Sequence, residues 1–451
     1  MFKSAVISFL TILLSISYAN SFELIWEKQY HSGQINRILF SPDESLIYSA
    51  GADKKLIITN SNTGEKVEEY SFNYNVYDLT LTNLTNSVLV SLKHSLNSSV
   101  ILFNIDSKTS EVILDLRKLF DTNMSVQNQE FIEVHAIQPD KEHILTGVGI
   151  YYYQNANHYY RGRLDLWDMN TGQWVKQIYS GGMVNNLVKS PDGKTICFST
   201  VERTSEYTAP WVYKEFEETK LIVATPDFEE FKILRQEYDE NMEFADTEVL
   251  NELAFSYDSK LLAVATDSHH YFIYDIEKGI KTDSIYSCDC YYDLAIDFIY
   301  DNEHIITGSN NGKVLIWNLE YNLARDSKTY PGNPLITSID ASAYKNRYVV
   351  ADVKGNMSML ASWEISGAEE DSKEEEYSLW GNNENIQIYF KDYSWFYNVY
   401  CYDIFGREMN LNYEYYGNLI KSDISKLPSG IYFIRIFNSG RVFTEKILKM
   451  N

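Results

Sequence analysis

The sequence predicts an all-β chain: a closed ring of seven small antiparallel sheets, followed by a small C-terminal β-sandwich module. Three observations predict it. A block of about forty to sixty residues recurs in degraded form, the period at which one supersecondary unit repeats. Each copy runs apolar stretch, turn, apolar stretch, turn, then a third apolar stretch closing on an aromatic or polar pair. The clearest closings are Leu164-Asp165-Leu166-Trp167-Asp168 and Val314-Leu315-Ile316-Trp317-Asn318. No single copy can bury its own apolar face, so the copies must pack on one another, and a ring removes the exposed ends. The third observation is a spare strand, Phe22–Tyr30, ahead of the first copy.

Taken in order, the first strand of a copy is legible as Gln34-Ile35-Asn36-Arg37-Ile38-Leu39-Phe40, followed by Ser41-Pro42-Asp43 and Leu46-Ile47-Tyr48. Ser190-Pro191-Asp192-Gly193 and Ser256-Tyr257-Asp258 punctuate later copies in the same place. Pro pre-sets φ for a turn, and Asp or Gly supplies the side-chain hydrogen bond or the positive φ that the reversal needs. Asn311-Gly312 suits a tight hairpin between second and third strands. Asn62-Thr63-Gly64, Asn170-Thr171-Gly172 and Glu277-Lys278-Gly279 join third strands to fourth. The third strands are expected at Leu56–Thr59, Val100–Phe103, Leu164–Trp167, Leu221–Ala224, Phe272–Tyr274, Val314–Trp317 and Met357–Leu360. Their apolar runs of four or five residues suit sheets buried on both faces. The seventh copy lacks a fourth strand of its own, so Phe22–Tyr30 is expected to pair with Met357–Leu360 and close the ring, leaving no sheet edge at the seam.

These features resemble the WD-repeat β-propellers over roughly Phe22 to Ile365, and the resemblance implies a seven-bladed propeller. Trp167-Asp168 is a literal WD pair; Trp317-Asn318, Tyr274-Asp275 and Phe103-Asn104 are relaxed versions. His31, Ser49 and Asp53 match part of the family's hydrogen-bonded network, with Thr59 where Trp would stand.

The two ends point to export. Met1-Phe2-Lys3, the apolar stretch Ala5 to Ile16 and the small residues of Ser17-Tyr18-Ala19 read as a secretory signal over residues 1–19, cleaved after Ala19 and too short to span a bilayer comfortably. Residues 20–365 are then the propeller. Residues 366–378 form an acidic linker, with Glu369, Glu370, Asp371 and Glu374-Glu375-Glu376 repelling one another into an extended tether. Residues 379–451 form the β-rich module. Its Gly406-Arg407 turn, its Leu427-Pro428-Ser429-Gly430-Ile431-Tyr432 block and its Lys446-Ile447-Leu448-Lys449 ending resemble the C-terminal sorting domain of type IX secretion in certain Gram-negative bacteria. The resemblance implies the type IX machinery as partner, passage by way of the periplasm, removal of the module, and a final place outside the cell or on the outer-membrane surface.

Composition narrows the partners. The chain has 451 residues and a net charge of −24. Such acidity, with no Lys/Arg cluster, argues against nucleic acid. Hydrophobic residues at 45% suffice for packed cores, and only four cysteines argue against a disulfide framework. No nucleophile elbow, His-Glu-x-x-His, phosphate loop or calcium loop is present. No cofactor and no transmembrane anchor are expected.

Candidate ligand-binding residues fall in insertions on one face of the ring, where second-to-third-strand loops and the exits of fourth strands lie. Ile150 to Arg161 carries Tyr152, Tyr153, His158, Tyr159 and Tyr160. Val201 to Lys220 carries Tyr207, Trp211 and Tyr213, and an acidic stretch runs from Gln236 to Val249. Tyrosine and tryptophan offer flat apolar area with a hydrogen-bonding tip, which suits a surface protein, peptide or glycan; the same rings could instead pack on one another to stiffen the hairpins. His269 and His270, with Cys288 and Cys290, form a possible tetrahedral zinc set if their loops converge. The expected function is non-catalytic binding or scaffolding by a secreted propeller. The alternative is a propeller hydrolase or lyase with a carboxylate- or metal-based site, which a channel pocket with convergent carboxylates of shifted pKa would favour.

Overall fold

The computed structural model describes residues 22–84, 86–119, 130–154, 157–209, 212–242, 248–268, 270–286, 293–320, 323–343, 345–362, 377–381, 385–390, 397–403, 408–409, 411, 413–416, 419–438 and 441–449. Apart from a 3-10 turn at Leu116–Leu119, its regular elements are antiparallel strands. The expected signal segment and residues 366–376 of the expected acidic tether lie outside the described residues, while Tyr377 and Ser378, placed in the tether from sequence, belong to the strand Tyr377–Gly381.

Residues 22–362 form five separate four-stranded sheets and one eight-stranded sheet. The inner strands are Ile35–Phe40, Asn75–Leu81, Glu130–Ile137, Met183–Lys189, Leu250–Phe255, Asp293–Phe298 and Ile336–Ala341. We number the blades one to seven by these strands. Each inner strand packs on the next, and the last packs back on the first, so the ring is closed. Every expected third strand lies within an observed one, from Lys55–Asn60 to Asn356–Ser362.

The seam is built as expected. Phe22–Gln29 pairs antiparallel with Asn356–Ser362, with Phe22 opposite Ser362 and Lys28 opposite Met357. The chain then passes so close to the turn at Gly355 that its main-chain oxygen accepts the Tyr30 and His31 amides at 3.0 and 3.2 Å. Gly355 has φ +85, and a Cβ there would lie 2.2 Å from the His31 oxygen, so glycine is required. The Asn311-Gly312 turn and the three turns ending in Gly64, Gly172 and Gly279 likewise have positive φ at glycine.

Apolar clusters fill the spaces between neighbouring blades. Tyr271 and Ile273 of blade five, for example, meet Phe298, Ile305 and Trp317 of blade six. Every inner strand also carries one register shift near its start. The residues just past it are Arg37, Asp78, Glu133, Asn186, Glu252, Ala295 and Ser338. A bulge adds one unpaired residue and re-aims its neighbours, so a short ladder can present polar groups without losing its apolar packing.

The C-terminal residues form two more four-stranded sheets. One contains Tyr377–Gly381, Asn385–Phe390, Leu419–Asp423 and Tyr413–Tyr416; the other contains Glu408–Met409, Tyr397–Asp403, Gly430–Asn438 and Arg441–Lys449. Ile386, Ile388 and Ile420 of the first share a core with Val399, Cys401 and Ile434 of the second.

Candidate binding face

Second and third strands in blades five and six are six residues long. In blade three they extend to twelve, as His143–Gln154 and Asn157–Asp168. In blade four, Ile196–Ala209 and Val212–Ala224 reach fourteen and thirteen. The two lengthened hairpins pair with each other: His158 is opposite Ser205, Tyr159 opposite Thr204 and Tyr160 opposite Arg203. Two blades that elsewhere meet only through side chains are thereby joined by main-chain hydrogen bonds into the eight-stranded sheet. Tyrosine-rich strands favour this extension, and opposite charges on adjacent strands support it.

Register sorts the side chains by face, because residues paired across a ladder share a face and successive residues alternate. Leu164 and Leu166 of blade three face blade four. In blade four, Leu221 and Val223 face blade five. Continued upward, the face toward blade five carries Tyr151, His158, Tyr160, Arg203 and Glu217. The face toward blade two carries Tyr152, Tyr159, Arg161, Glu202 and Thr204.

On the blade-five side, Tyr151 Oη and His158 Nδ1 are hydrogen-bonded at 2.7 Å and their rings stack. Arg203 pairs with Glu217 and lies 5.9 Å above the Tyr160 ring. On the blade-two side, Tyr152 and Tyr159 stack at 4.9 Å with an interplanar angle of 16°. Arg161 pairs with Glu202 and lies 5.9 Å from the Tyr159 ring. Tyr152 and Tyr159 thus share one face of the raised sheet, and His158 and Tyr160 the other. The rings also pack on one another, while Tyr152, His158, Tyr159 and Tyr160 stay half-buried. Tyr153 pairs through its backbone with His158, and Tyr207 with Tyr213. Trp211 lies outside the described residues.

At the foot of the wall, Glu248 joins His270 Nδ1 to Arg235, and Arg235 also pairs with Glu237 and lies 4.2 Å over the Phe272 ring. Asp267 beside them accepts the Val249 amide at 2.9 Å, and burial raises its pKa, with the Glu217 and Glu248 charges adding to the rise. His270 thus has a carboxylate partner. His269, Cys288 and Cys290 lie outside the described residues, and among those described no group of three or more His, Cys, Asp or Glu side chains is arranged to hold a metal ion.

Residues at and just past the bulges of the inner strands form a polar collar that sequence reasoning missed. Arg37 bonds Glu252 and lies 3.6 Å from Asp78. Asn186 donates to Glu252 at 3.1 Å. His135 contacts Asp78 at 2.9 Å and Glu133 at 3.7 Å, and Tyr77 donates to Glu133. Burial alone would lower the His135 pKa, but the two carboxylates outweigh it and lift it to about 9, so this imidazole is a cation at neutral pH. Two further buried carboxylates lie along the inner strands. Asp297 accepts the Phe298 and Ala341 amides, both at 2.8 Å, and Asp340 accepts the Phe40 amide at 2.6 Å. Burial pushes both pKa values up, Asp340 to about 7, and at Asp297 the Asp340 charge adds to the rise. Each ties one blade to the next through a main-chain amide. An open groove of about 310 Å³, lined by Lys28, Gln29, Tyr30, Gly64, Glu65 and Lys66, contains none of these carboxylates.

The network expected in blade one is present: His31 bonds Asp53 at 2.8 Å and Ser49 at 2.9 Å. Thr59, standing where Trp would, has a buried hydroxyl with no partner. The Trp half survives in blades three and six, where Trp167 donates to Thr146 at 2.8 Å and Trp317 to Thr307 at 3.0 Å.

In the C-terminal module the block and the ending lie on adjacent strands: Gly430 pairs with Lys449, Ile431 with Leu448 and Phe433 with Lys446. Tyr432 Oη donates to the Pro428 oxygen at 2.7 Å. The buried Lys449 ammonium donates to the Ile424 oxygen and to the Ser425 oxygen, the latter at 2.6 Å, clamping the turn before Leu427. Gly406 and Arg407 lie outside the described residues.

A closed ring of four-stranded blades, two of them joined into one sheet, with its N-terminal strand as the last outer strand is a β-propeller, and the comparisons with known families agree. Residues 22–60 and 281–318 match the WD domain, G-beta repeat. Both matches begin at an outer strand and end at the third strand of the next blade, the frame that the borrowed seam strand requires. Residues 382–450 match the secretion system C-terminal sorting domain. The chain therefore carries WD repeats in its ring and a type IX sorting domain behind it, which marks it for export to the cell surface or beyond. Among the described residues no helix is long and apolar enough to cross a membrane. No curated protein matches the chain.

Proposed function

We propose that this is an exported seven-bladed propeller that captures a protein partner non-covalently on the sheet raised by blades three and four. The carrying observation is the main-chain pairing of Tyr159 with Thr204 and Tyr160 with Arg203, which turns two loops into one preorganised wall. Tyrosine suits such a wall, since it has few rotatable bonds and an amphipathic ring, so little entropy is lost on contact. Its charges are paired in place, as in Arg161–Glu202 and Arg203–Glu217, which favours a polar polypeptide surface over a strongly charged polymer. Asp267, Asp297 and Asp340, carboxylates of raised pKa, are each bonded to main-chain amides, which supports a binding reading over the hydrolase or lyase alternative.

The test uses the full chain as bait against purified outer-membrane and supernatant fractions. A variant in which residues 152–159 are replaced by Asn-Gly should lose a partner retained by the parent, with the ring's melting temperature nearly unchanged. Retention of every partner, or recovery of a polysaccharide alone, would overturn this reading.

A further inference from the structure

We infer that the floor of the ring, at the turns following the inner strands of blades six and seven, is the docking site of the chain's own sorting module, with Arg435 as the inserted group. Those turns carry Tyr300 and Asn346, and they open on the face opposite the raised hairpins. Arg435, on the strand Gly430–Asn438, donates from Nη1 to Tyr300 Oη at 2.9 Å. With the Asn346 amide placed so that its oxygen meets the guanidinium, that oxygen accepts from Nη2 at 2.6 Å and from Nη1 at 3.1 Å, and the amide nitrogen donates to Tyr300 Oη at 3.1 Å. The module's Tyr402 ring lies 5.7 Å from the same guanidinium. A planar, always-charged fork held between two hydrogen-bonding groups and an aromatic face is a geometry that lysine could not reproduce.

Two independent features support the pairing. The receiving turns are built into the ring: Tyr300 packs on the core shared by blades six and seven, and Asn346 is buried. Burial raises the Tyr300 pKa, while the Arg435 charge draws it back. Asp301, next to Tyr300, places a carboxylate charge beside it, whereas Lys345 and Arg347 stand on either side of Asn346. The tether also leaves from this place. Ser362, at the end of the last ring strand, donates its amide to the main-chain oxygen of Asn346 at 3.1 Å. A connection of residues 363–376 starting there holds the module at an effective concentration in the millimolar range, so contacts too weak for two separate molecules suffice within one. Cutting the tether removes that advantage. Docking would therefore hold the module under the ring during transit, away from the binding wall, and release it once the connection is cut.

The experiment is small-angle scattering of the intact chain at several salt concentrations, with protease sensitivity of the tether as a second readout. The parent should be compact. Arg435→Glu should increase the maximum dimension and speed tether cleavage about tenfold, and Asn346→Lys combined with Arg435→Glu should restore the compact form. Asn346→Ala, which leaves the module's sequence untouched, should match Arg435→Glu and so distinguishes undocking from misfolding of the module. A parent already as extended as Arg435→Glu, or a compact form unaffected by all three variants, would overturn the inference.

Discussion

Blades four and six follow one strand plan but are held together differently above the ring. In blade six, second and third strands end at a tight Gly312 turn, and the partner of Trp317 Nε1 is Thr307 of the same hairpin. In blade four the corresponding strands run on past the ring and find their partner in blade three. Inside the ring, the buried apolar residues pack between neighbouring blades. Above it, side chains answer only to cross-strand neighbours such as Arg203–Glu217. The difference separates a frame that must be conserved in shape from a wall that can change its surface without unfolding the frame.

The largest expected effect breaks the frame. Arg37 is the collar's guanidinium, facing Glu252 and Asp78 and lowering the Asp340 pKa. Arg37→Ala strands those carboxylates in a buried site, which costs about 3–5 kcal/mol. Urea unfolding should show it as a large fall in midpoint, whereas the 152–159 replacement should barely move the same transition. Comparable losses from the two variants would erase the distinction between frame and wall.

The next effect depends on pH. Asp340 titrates near 3.8 when unfolded and about 7 in the ring, so its charge opposes folding. Stability is lost as pH rises from 3.8 through 7. Asp340→Asn keeps an oxygen for the Phe40 amide and removes that loss, so it should gain on the order of 2 kcal/mol at pH 8 and almost nothing at pH 4. His135 has the opposite sign of charge: raised from 6.5 to about 9, its contribution is full below 6.5 and lost as pH climbs through 9. The slope remaining in Asp340→Asn above pH 7 should therefore come from His135 together with Asp297, whose pKa burial also raises.

The ring was legible because its signals are local. Turn residues such as Asn62-Thr63-Gly64 and closings such as Leu166-Trp167-Asp168 announce themselves within a few positions, and the unpaired Phe22–Tyr30 strand implied the seam. The sorting module was legible from Leu427 to Tyr432 and from Lys446 to Lys449, which the structure sets side by side. The collar was not, because a bulge shifts the alternation by one and gives Arg37, Asp78 and Glu252 no periodic signature. Nor was the pairing of Tyr159 with Thr204, since it joins residues in two insertions that carry no mutual signal. The insertions could be read as long hairpins, but not as two faces of one sheet.

Within the sorting module, Lys449→Met should cost about 1–3 kcal/mol in module unfolding, because the Ile424 and Ser425 oxygens lose a charged donor. Amide hydrogen exchange at Leu427, whose N–H bonds the Ile424 oxygen at 3.0 Å, should accelerate while exchange in the ring stays constant. Faster exchange in both would mean that module and ring unfold as one cooperative unit.

The smallest effect sharpens the comparison most. Arg161 and Glu202 pair across two blades near the solvent-exposed upper wall, with side chains 34% and 24% exposed. Exposed pairs of this kind contribute about 0–1 kcal/mol, because solvent screens them and two long side chains must be held in place. Arg161→Ala should therefore lower ring stability by less than about 1 kcal/mol. A double-mutant cycle with Glu202→Ala should return a coupling of the same size. Yet the guanidinium also lies beside the Tyr159 ring on the face proposed to meet a partner. If the wall is a recognition surface, Arg161→Ala should weaken capture severalfold while leaving the unfolding curve almost unmoved. Loss of stability without loss of capture would assign the pair to the frame instead, and the boundary between the two regions would have to be drawn above Arg161.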